Sequence, residues 1–174
     1  MKKNVELIIE DETWAKFAGY EDWTKSLEEF FNASVKQKYH GVKRCWSGLL
    51  LTDDTHIKVL NRNFRYVNKP TNVLSFPEYE PELFSRIDIF LKSPDIFLGD
   101  IAMSHEQIMK ECEEYGINFF DRCSHLFVHG VLHLFGSDHI EPKGQEEMEN
   151  MEIEILSKFG ISNPYVSRGE KNTI

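Results

Sequence analysis

The amino-acid sequence predicts an α+β fold, in which a small mixed β-sheet of about four strands packs against helices. Three observations predict this fold. Short apolar runs alternate with helical patterns in the first half of the chain, longer helical patterns fill the second half, and no internal repeat or low-complexity tract is present. The length of 174 residues fits one domain, residues 1–174, which can bury a core without disulfide bonds.

Four short apolar segments predict the strands of that sheet: Val5–Ile9, Lys43–Thr52, Asn72–Phe76 and Leu98–Met103. Pro77 closes the third of them. The segment Glu78–Phe97 contains prolines and shows no clean period, so we interpret it as a long loop or hairpin that could serve as a lid.

The other segments predict helices with recognisable ends. In the second helix, Ile57, Leu60 and Phe64 have the spacing of a buried stripe. Gly136 and Gly160 end the last two helices, and the tail from Ile161 is expected to fray. The helices are expected at Glu21–Lys38, after an N-cap at Asp53 or Asp54, from Ser104 to Cys112, from Asn118 to Phe135, and from Pro142 to about Phe159.

Composition and charge exclude several classes of protein. Hydrophobic residues make up 41% and charged residues 28%, as in globular rather than collagen-like or disordered chains. The best candidate for a membrane span, Cys123–Ser137, is too short, so no membrane association is expected. No signal peptide is evident, and three cysteines without a CxxC pattern fit reduced thiols in the cytoplasm. With a net charge of −9, any nucleic-acid site has to be a local basic patch.

The most informative stretch runs from His129 to His139 and reads HGVLHLFGSDH. His129 and His133 lie four residues apart on a predicted helix, so their rings share one face and can reach one metal ion. Gly136 allows a left-handed turn that can bring His139 back towards the same point. Three imidazoles with an open fourth position are typical of catalytic zinc sites, which predicts zinc at His129, His133 and His139.

Other arrangements of these residues are weaker alternatives. His125 and His129 are also four residues apart, but that pair leaves His139 without a role after the glycine turn. Asp138 is open between a fourth ligand, a carboxylate that orients an imidazole, and a surface residue, with the orienting role favoured. The histidines that lack this spacing are interpreted as ordinary residues: His40, His56 and His105.

The residue after the first histidine of the pattern is Gly130. In zinc peptidases with the pattern HExxHxxGxxH, that position holds a glutamate, which acts as the general base. The ligand spacing therefore matches a zinc peptidase while the base is missing. Peptide hydrolysis by that mechanism is disfavoured.

A basic stripe, Lys58, Arg62, Arg65 and Lys69, would share one face of a continuous helix. A solvated helix face is the ordinary interpretation of such a run. In an acidic chain, however, four cations without an intervening carboxylate favour an anionic ligand, and arginine can bind two phosphate oxygens. The acidic residues concentrate on the last helix and the approach to it: Glu141, Glu146, Glu147, Glu149, Glu152 and Glu154.

Three segments stand in order between Leu60 and about Met151: Asn61–Arg65 continuing through Lys69–Pro77, then Leu98–Ser104, then His129–His139. Together they resemble the YbeY family of bacterial endoribonucleases, which are rRNA maturation factors. The chain departs from the family at Ser137, where a tyrosine is usual. That departure concerns the shape of the pocket rather than the metal ligands.

The resemblance implies a small α+β fold with a metzincin-like helix that carries the histidines. It implies one zinc ion held by His129, His133 and His139, with Arg65 as the functional arginine of the cleft. It also implies single-strand-specific endoribonuclease activity in 16S rRNA maturation and ribosome quality control. The implied partners are small-subunit rRNA, a ribosomal protein and an Era-type GTPase.

Further roles follow as expectations. Arg62 and Lys69 are expected to guide the RNA backbone, and Tyr66 or Phe76 to stack on bases. Asp100 is expected either to support the site or to contact a protein partner. The alternative function is a ribosome-assembly binding factor with a structural metal, and a metallopeptidase is less favoured. Neither the residues nor the resemblance sets an oligomeric state.

Overall fold

The computed structural model describes residues 3–38, 44–85, 95–137 and 140–166. Short 3-10 helices span Glu12–Lys16 and Pro81–Ser85. The strands and α-helices of the described residues are β1 (Val5–Ile9), α1 (Tyr20–Lys38), β2 (Cys45–Thr52), α2 (Asp54–Arg65), β3 (Val73–Pro77), β4 (Ile96–Ser104), α3 (His105–Tyr115), α4 (Phe119–Leu134) and α5 (Pro142–Ser157).

Within the described ranges, the sheet has four strands in the order β1-β2-β4-β3. β1 and β4 both pair with β2 in parallel, and β3 pairs with β4 in the antiparallel direction. The sheet is therefore mixed, and the predicted α+β class with about four strands is confirmed.

The two faces of the sheet carry different helices. Leu49 and Ile101 point into the main core, which they share with buried residues of α1, α4 and α5. Because side chains alternate along a strand, the neighbouring residues face the other way. There Ile57 of α2 packs against Leu74 and Ala102 in a second, smaller cluster. α2 and α4 thus lie on opposite faces of the sheet.

The predicted buried stripe of α2 is partly wrong. Ile57 is buried, but Leu60 is only half-buried and Phe64 is 63% exposed. The cluster under α2 is small, so Leu60 packs only at its edge and Phe64 is not covered by it. Phe64 instead makes an edge-on contact with Phe76, with ring centroids 5.1 Å apart.

The predicted loop at Glu78–Phe97 is wrong at its end, because β4 already begins at Ile96, which pairs with Cys45. Within it, Phe84 of the second 3-10 helix packs edge-on against Phe135 at the end of α4, with ring centroids 5.6 Å apart. Residues 86–94 lie outside the described residues, and the lid stays a prediction.

Two further differences concern a short 3-10 helix near the start of the chain and the tail after α5. The 3-10 helix at Glu12–Lys16 is not predicted; it forms because Asp11 accepts a hydrogen bond from the Thr13 N–H at 2.8 Å and Trp14 is buried beside it. The tail expected to fray from Ile161 contains Tyr165, whose hydroxyl donates a hydrogen bond to a side chain of α5. Across the described ranges, no helix is both long and apolar enough to span a bilayer.

Candidate metal centre

The helix α4 carries the first two histidines of the pattern and is held at both ends. At its start, the side-chain oxygen of Asn118 accepts hydrogen bonds from the backbone of Phe120 and Asp121, at 3.0 and 3.1 Å. At its end, Gly136 has a φ of 78° and donates its N–H to the carbonyl of His133 at 2.8 Å. The predicted left-handed turn at Gly136 is thus confirmed.

His129 and His133 face each other on one side of α4. Their Nε2 atoms lie 3.0 Å apart, and their ring centroids lie 4.4 Å apart. His129 is buried, whereas His133 is partly exposed. The pair therefore stands at the boundary between the core and solvent, where a ligand could approach it.

Glu152 of α5 lies behind this pair and is fully buried. Its Oε1 accepts a hydrogen bond from Nδ1 of His129 at 2.7 Å, and its Oε2 accepts one from Nε2 of His125 at 2.8 Å and one from the hydroxyl of Tyr165. Burial alone would raise the pKa of Glu152, but the hydrogen bonds from His125 and His129 hold it well below its ordinary value. Glu152 is therefore a buried carboxylate that accepts hydrogen bonds from His125, His129 and Tyr165.

The two histidines fit a zinc ion. Two nitrogens that each bind one tetrahedral zinc at about 2.0–2.1 Å lie about 3.3 Å apart, close to the 3.0 Å between these Nε2 atoms. The contact of His129 Nδ1 with Glu152 leaves Nε2 as the atom that faces His133. A carboxylate on the far nitrogen is the usual support of a histidine that binds zinc.

His139 and Asp138, the predicted third ligand and its neighbour, lie outside the described residues. Among the residues that are described, no three histidine, cysteine or acidic side chains form a group that could hold a metal ion. The zinc site at His129, His133 and His139 thus stays a prediction, for which the facing Nε2 atoms are the structural support.

The other described histidines have protein partners. Nδ1 of His125 accepts from Arg122 at 2.9 Å while Nε2 donates to Glu152, so both nitrogens are occupied. Burial lowers the pKa of His125 to about 4, and its ring is therefore neutral near pH 7. His105 contacts Asp11 at 2.8 Å, and His56 contacts Glu10. His40 lies outside the described residues.

Glu152 is a residue of the site that the sequence interpretation missed, because it was counted with the acidic residues of the last helix. The spacing of residues along the last helix nonetheless indicated that Glu152 is buried. Glu152 follows Met148 by four residues and precedes Ile155 by three, and both of these are buried core residues. A carboxylate on the apolar side of an amphipathic helix needs a buried partner.

Gly130 lies where α4 contacts the sheet. A Cβ added there would lie 3.0 Å from Cδ1 of Ile101 and 3.2 Å from the hydroxyl oxygen of Ser75. The position that holds the base in zinc peptidases is therefore filled by close packing in this protein.

The basic residues lie on the other side of the sheet from α4. Arg62 and Arg65 are exposed in the last turn of α2, which ends at Tyr66 with a φ of 60°. Lys69 is exposed too, but it belongs to the turn after the helix, where Asn61 donates to its carbonyl at 2.8 Å. The assumption of one continuous helix through Lys69 is wrong, because the chain reverses at Tyr66. α2, which carries Arg62 and Arg65, packs on the sheet face opposite to α4.

Asp100 is exposed on β4. The neighbouring Ile101 contacts α4 at Gly130, so Asp100 points to the opposite face of the sheet. There its carboxylate lies over Gly48, where an added Cβ would be 2.2 Å from Oδ1. Partial burial of the carboxyl group over Gly48, with Glu6 and Glu78 nearby, raises the pKa of Asp100 from its ordinary value. This orientation suits a contact with a partner rather than support of an imidazole on α4.

Known proteins resemble this chain over most of its length. A model of the family described as Endoribonuclease YbeY matches residues 8–160. The Endoribonuclease YbeY of Erythrobacter litoralis is 44% identical over 126 residues, which cover 72% of this chain and 77% of that protein. That of Francisella philomiragia is 39% identical over 142 residues, covering 82% and 85%. That of Rhodopseudomonas palustris is 38% identical over 166 residues, covering 94% and 81%.

One solved structure shares the fold. The solution structure of TM1509 from Thermotoga maritima aligns with a TM-score of 0.55 over 97% of this chain and 99% of that one, at 22% identity. The likeness to that structure concerns the fold alone. The resemblance noted in the sequence is confirmed by the family match and by relatives of similar length: the chain belongs to the Endoribonuclease YbeY family.

Proposed function

We propose that this protein is a zinc-dependent, single-strand-specific endoribonuclease that acts in 16S rRNA maturation and ribosome quality control in the cytoplasm. Membership of the YbeY family supports the activity. The single observation that carries the metal dependence is the 3.0 Å separation of the Nε2 atoms of His129 and His133, which face each other with a carboxylate behind one of them.

The residues of this chain divide the work as follows. His129 and His133, with His139 as the third ligand, hold the zinc ion. When bound, zinc activates water at neutral pH and polarises a phosphoryl oxygen. The resemblance makes Arg65 the functional arginine of the cleft; because α2 and α4 lie on opposite faces of the sheet, we assign to its planar guanidinium a phosphate further along the strand rather than the one at the zinc, and Arg62 and Lys69 contact neighbouring phosphates.

Single-stranded RNA fits the exposed surface at the end of α2. Tyr66 is 91% exposed and lies between Arg65 and Lys69 along the chain. Unpaired bases stack on exposed aromatic rings, whereas bases in a duplex are already stacked on one another. Phe76 is less suited to this role because it is half-buried against Phe64. An RNA strand that reaches both the histidine pair on α4 and the basic residues at the end of α2 has to cross the β3 edge of the sheet.

The natural substrate is a small-subunit rRNA presented with protein partners. A net charge of −9 opposes tight binding of free RNA, so a ribosomal protein or an Era-type GTPase would hold the substrate in place. The exposed Asp100, on the sheet face away from α4, is the residue that we assign to such a partner contact.

Cleavage of a single-stranded RNA by purified protein tests the activity. Wild type should cleave after zinc loading, lose activity with a chelator and regain it with zinc, while the matching duplex is spared. His133→Ala should lose at least about 100-fold in rate, since it removes a ligand. The matched control is His56→Ala, a histidine far from α4 in the fold that should keep the rate.

Two outcomes would redirect the proposal. If His133→Ala and Arg65→Glu both keep rRNA processing while a change at Asp100 abolishes it, the protein acts by binding. If wild type cleaves a peptide and His129→Ala does not, the protein is a peptidase. A 2′,3′-cyclic phosphate on the RNA products would assign the attack to the RNA 2′-hydroxyl rather than to water.

A further inference from the structure

We propose that a buried chain of hydrogen bonds, running from Arg122 through His125 to Glu152, fixes His129 in the one tautomer that can bind a metal through Nε2. Arg122 and Glu152 are then positioning residues for the metal centre. The inference rests on the proposed function for its consequence in catalysis, although the tautomer itself does not depend on any activity.

The series of hydrogen bonds begins at Arg122, whose side chain is 1% exposed. Its Nε donates to Glu111 at 2.8 Å, and Glu111 also accepts from the side-chain amide of Asn72 at 2.8 Å. The guanidinium group carries donors only and does not lose its proton in proteins. The direction of the first hydrogen bond is thus fixed by chemistry.

That direction decides the tautomer of His125. Nη1 of Arg122 lies 2.9 Å from Nδ1 of His125, so Nδ1 has to be the acceptor. A neutral imidazole with an accepting Nδ1 carries its proton on Nε2. Nε2 of His125 therefore donates to Oε2 of Glu152, at 2.8 Å.

Glu152 in turn fixes the position of the proton on His129, the predicted metal ligand. Its Oε2 already accepts from His125 and from the hydroxyl of Tyr165, which keeps its proton because burial and the nearby carboxylate raise its pKa. An ionised carboxylate has no proton to offer, so Nδ1 of His129 has to donate to Oε1, at 2.7 Å. Nε2 of His129 is left without a proton, with its lone pair towards His133.

The arrangement also explains why a charge is kept in the core. Glu152 is 0% exposed and His125 is 1% exposed, and an isolated carboxylate there would be strongly unfavourable. Three donors surround it instead, from α4 and from the segment after α5. The acid thus links the last helix to the metal-binding helix through hydrogen bonds rather than through packing alone.

Nitrogen NMR of metal-free protein tests the inference without any variant. At about pH 8, above the ordinary histidine pKa, long-range ¹H–¹⁵N spectra distinguish the two neutral tautomers. We expect the Nδ1–H form for His129 and the Nε2–H form for His125. The opposite tautomer at either residue would overturn the proposal.

Glu152→Gln provides a second test, with a specific outcome. The amide offers one oxygen and one NH₂ group where the carboxylate offered two acceptors. Arg122 still fixes His125 as a donor, so the amide oxygen has to face His125 and the NH₂ has to face His129. We expect the proton of His129 to move to Nε2 and zinc affinity, measured by competition with a chelator, to fall about 10- to 100-fold.

The matched control is Asp11→Asn, which makes the same change of carboxylate to amide beside His105, in a pair that is not connected to His129. It should leave the His129 spectrum and the zinc affinity as in wild type. An equal zinc affinity in Glu152→Gln and in this control would overturn the proposal. Wild type that shows both expected tautomers but binds no zinc would support the hydrogen-bond chain and count against the proposed function.

Discussion

At the scale of single residues, the presence of Gly130 has two explanations, one from chemistry and one from packing. Its place in the HxxxH pattern suggests a lost catalytic base, whereas the structure shows a contact between α4 and the sheet. Ile101 and Ser75 fill the space that any larger side chain would need. The absence of glutamate is thus a packing requirement of the fold as well as a difference in chemistry.

We expect Gly130→Glu to lower the free energy of unfolding by at least about 3 kcal/mol, because it buries a charge and overfills a close contact. Urea unfolding followed by circular dichroism measures this change. Gly130→Ala is the milder control, since its Cβ requires the neighbours to move by only a few tenths of an ångström. A stable Gly130→Glu protein with peptidase activity would contradict the interpretation.

The pair of Asp11 and His105 predicts an acid-sensitive contribution to stability. The hydrogen bond with His105, together with that from Thr13, lowers the pKa of Asp11 to about 2. Since the pKa of the folded state lies below the ordinary value of about 3.9, the contribution is present above about pH 4 and is lost as the pH falls through about 2.

Asp11→Asn should therefore be less stable than wild type near pH 7, because the amide keeps the cap to Thr13 but loses the charge beside His105. The difference should shrink as the pH falls from about 4 to about 2. Unfolding curves at several pH values measure it. A difference that stays constant down to pH 2 would show that the carboxylate charge contributes nothing.

Residue-level features were predictable where one local rule decides them. The cap at Asp53, one of the two aspartates predicted for it, and the left-handed turn at Gly136 follow from local chemistry. The exposure of Phe64 was not predictable, because it depends on how far the small cluster extends under α2. The burial of Glu152 had a signal in its spacing from the buried residues of its helix, but its hydrogen-bond partners on α4 had none. Spacing along a helix shows which residues share a face, but the partner on that face is set by the fold.

At the scale of elements, the turn after α4 sets the direction in which the backbone leaves the helix. Gly136 has a left-handed conformation, and an added Cβ would lie 2.9 Å from Cβ of Pro81 in the second 3-10 helix. Helix, turn and 3-10 helix are therefore in contact at one point. The spacing predicted the glycine turn, whereas the contact with Pro81 depends on the path of a loop that has no periodic signal.

Gly136→Ala should destabilise the protein by about 1–3 kcal/mol, from the backbone conformation and the contact with Pro81 together, and should weaken zinc binding. Thermal unfolding and chelator competition measure the two effects. Gly116→Ala is a matched control, because Gly116 has a similar φ of 66° with no atom within 4 Å of the added Cβ. Equal losses of zinc affinity in the two variants would contradict a role for this turn.

At the scale of the whole molecule, the charge is unevenly distributed. The chain carries −9 overall, yet Arg62, Arg65 and Lys69 are exposed together around the end of α2. This patch lies at the end of α2, on the sheet face opposite to α4, an arrangement that the sequence could not show because it depends on which face of the sheet each helix covers. The fold class, by contrast, followed from the order of the elements alone.

RNA binding should depend on salt as expected for a small patch. With three cations on phosphates, at about 0.7 each for single strands, the logarithm of affinity should fall with the logarithm of salt with a slope of about −2. Arg65→Ala should reduce that slope by about 0.7. Fluorescence anisotropy with a short single strand measures both. Binding that does not change with salt would exclude this patch as the RNA site.

The proposed function requires one zinc ion, held by the histidines of α4, for RNA cleavage. The most direct measurement titrates zinc into metal-free protein and follows bound zinc and cleavage of single-stranded RNA in the same samples. We predict that the rate rises in proportion to bound zinc and levels off at one ion per chain, and that His133→Ala shows neither. Full cleavage by zinc-free wild type, or by zinc-free His133→Ala, would contradict it.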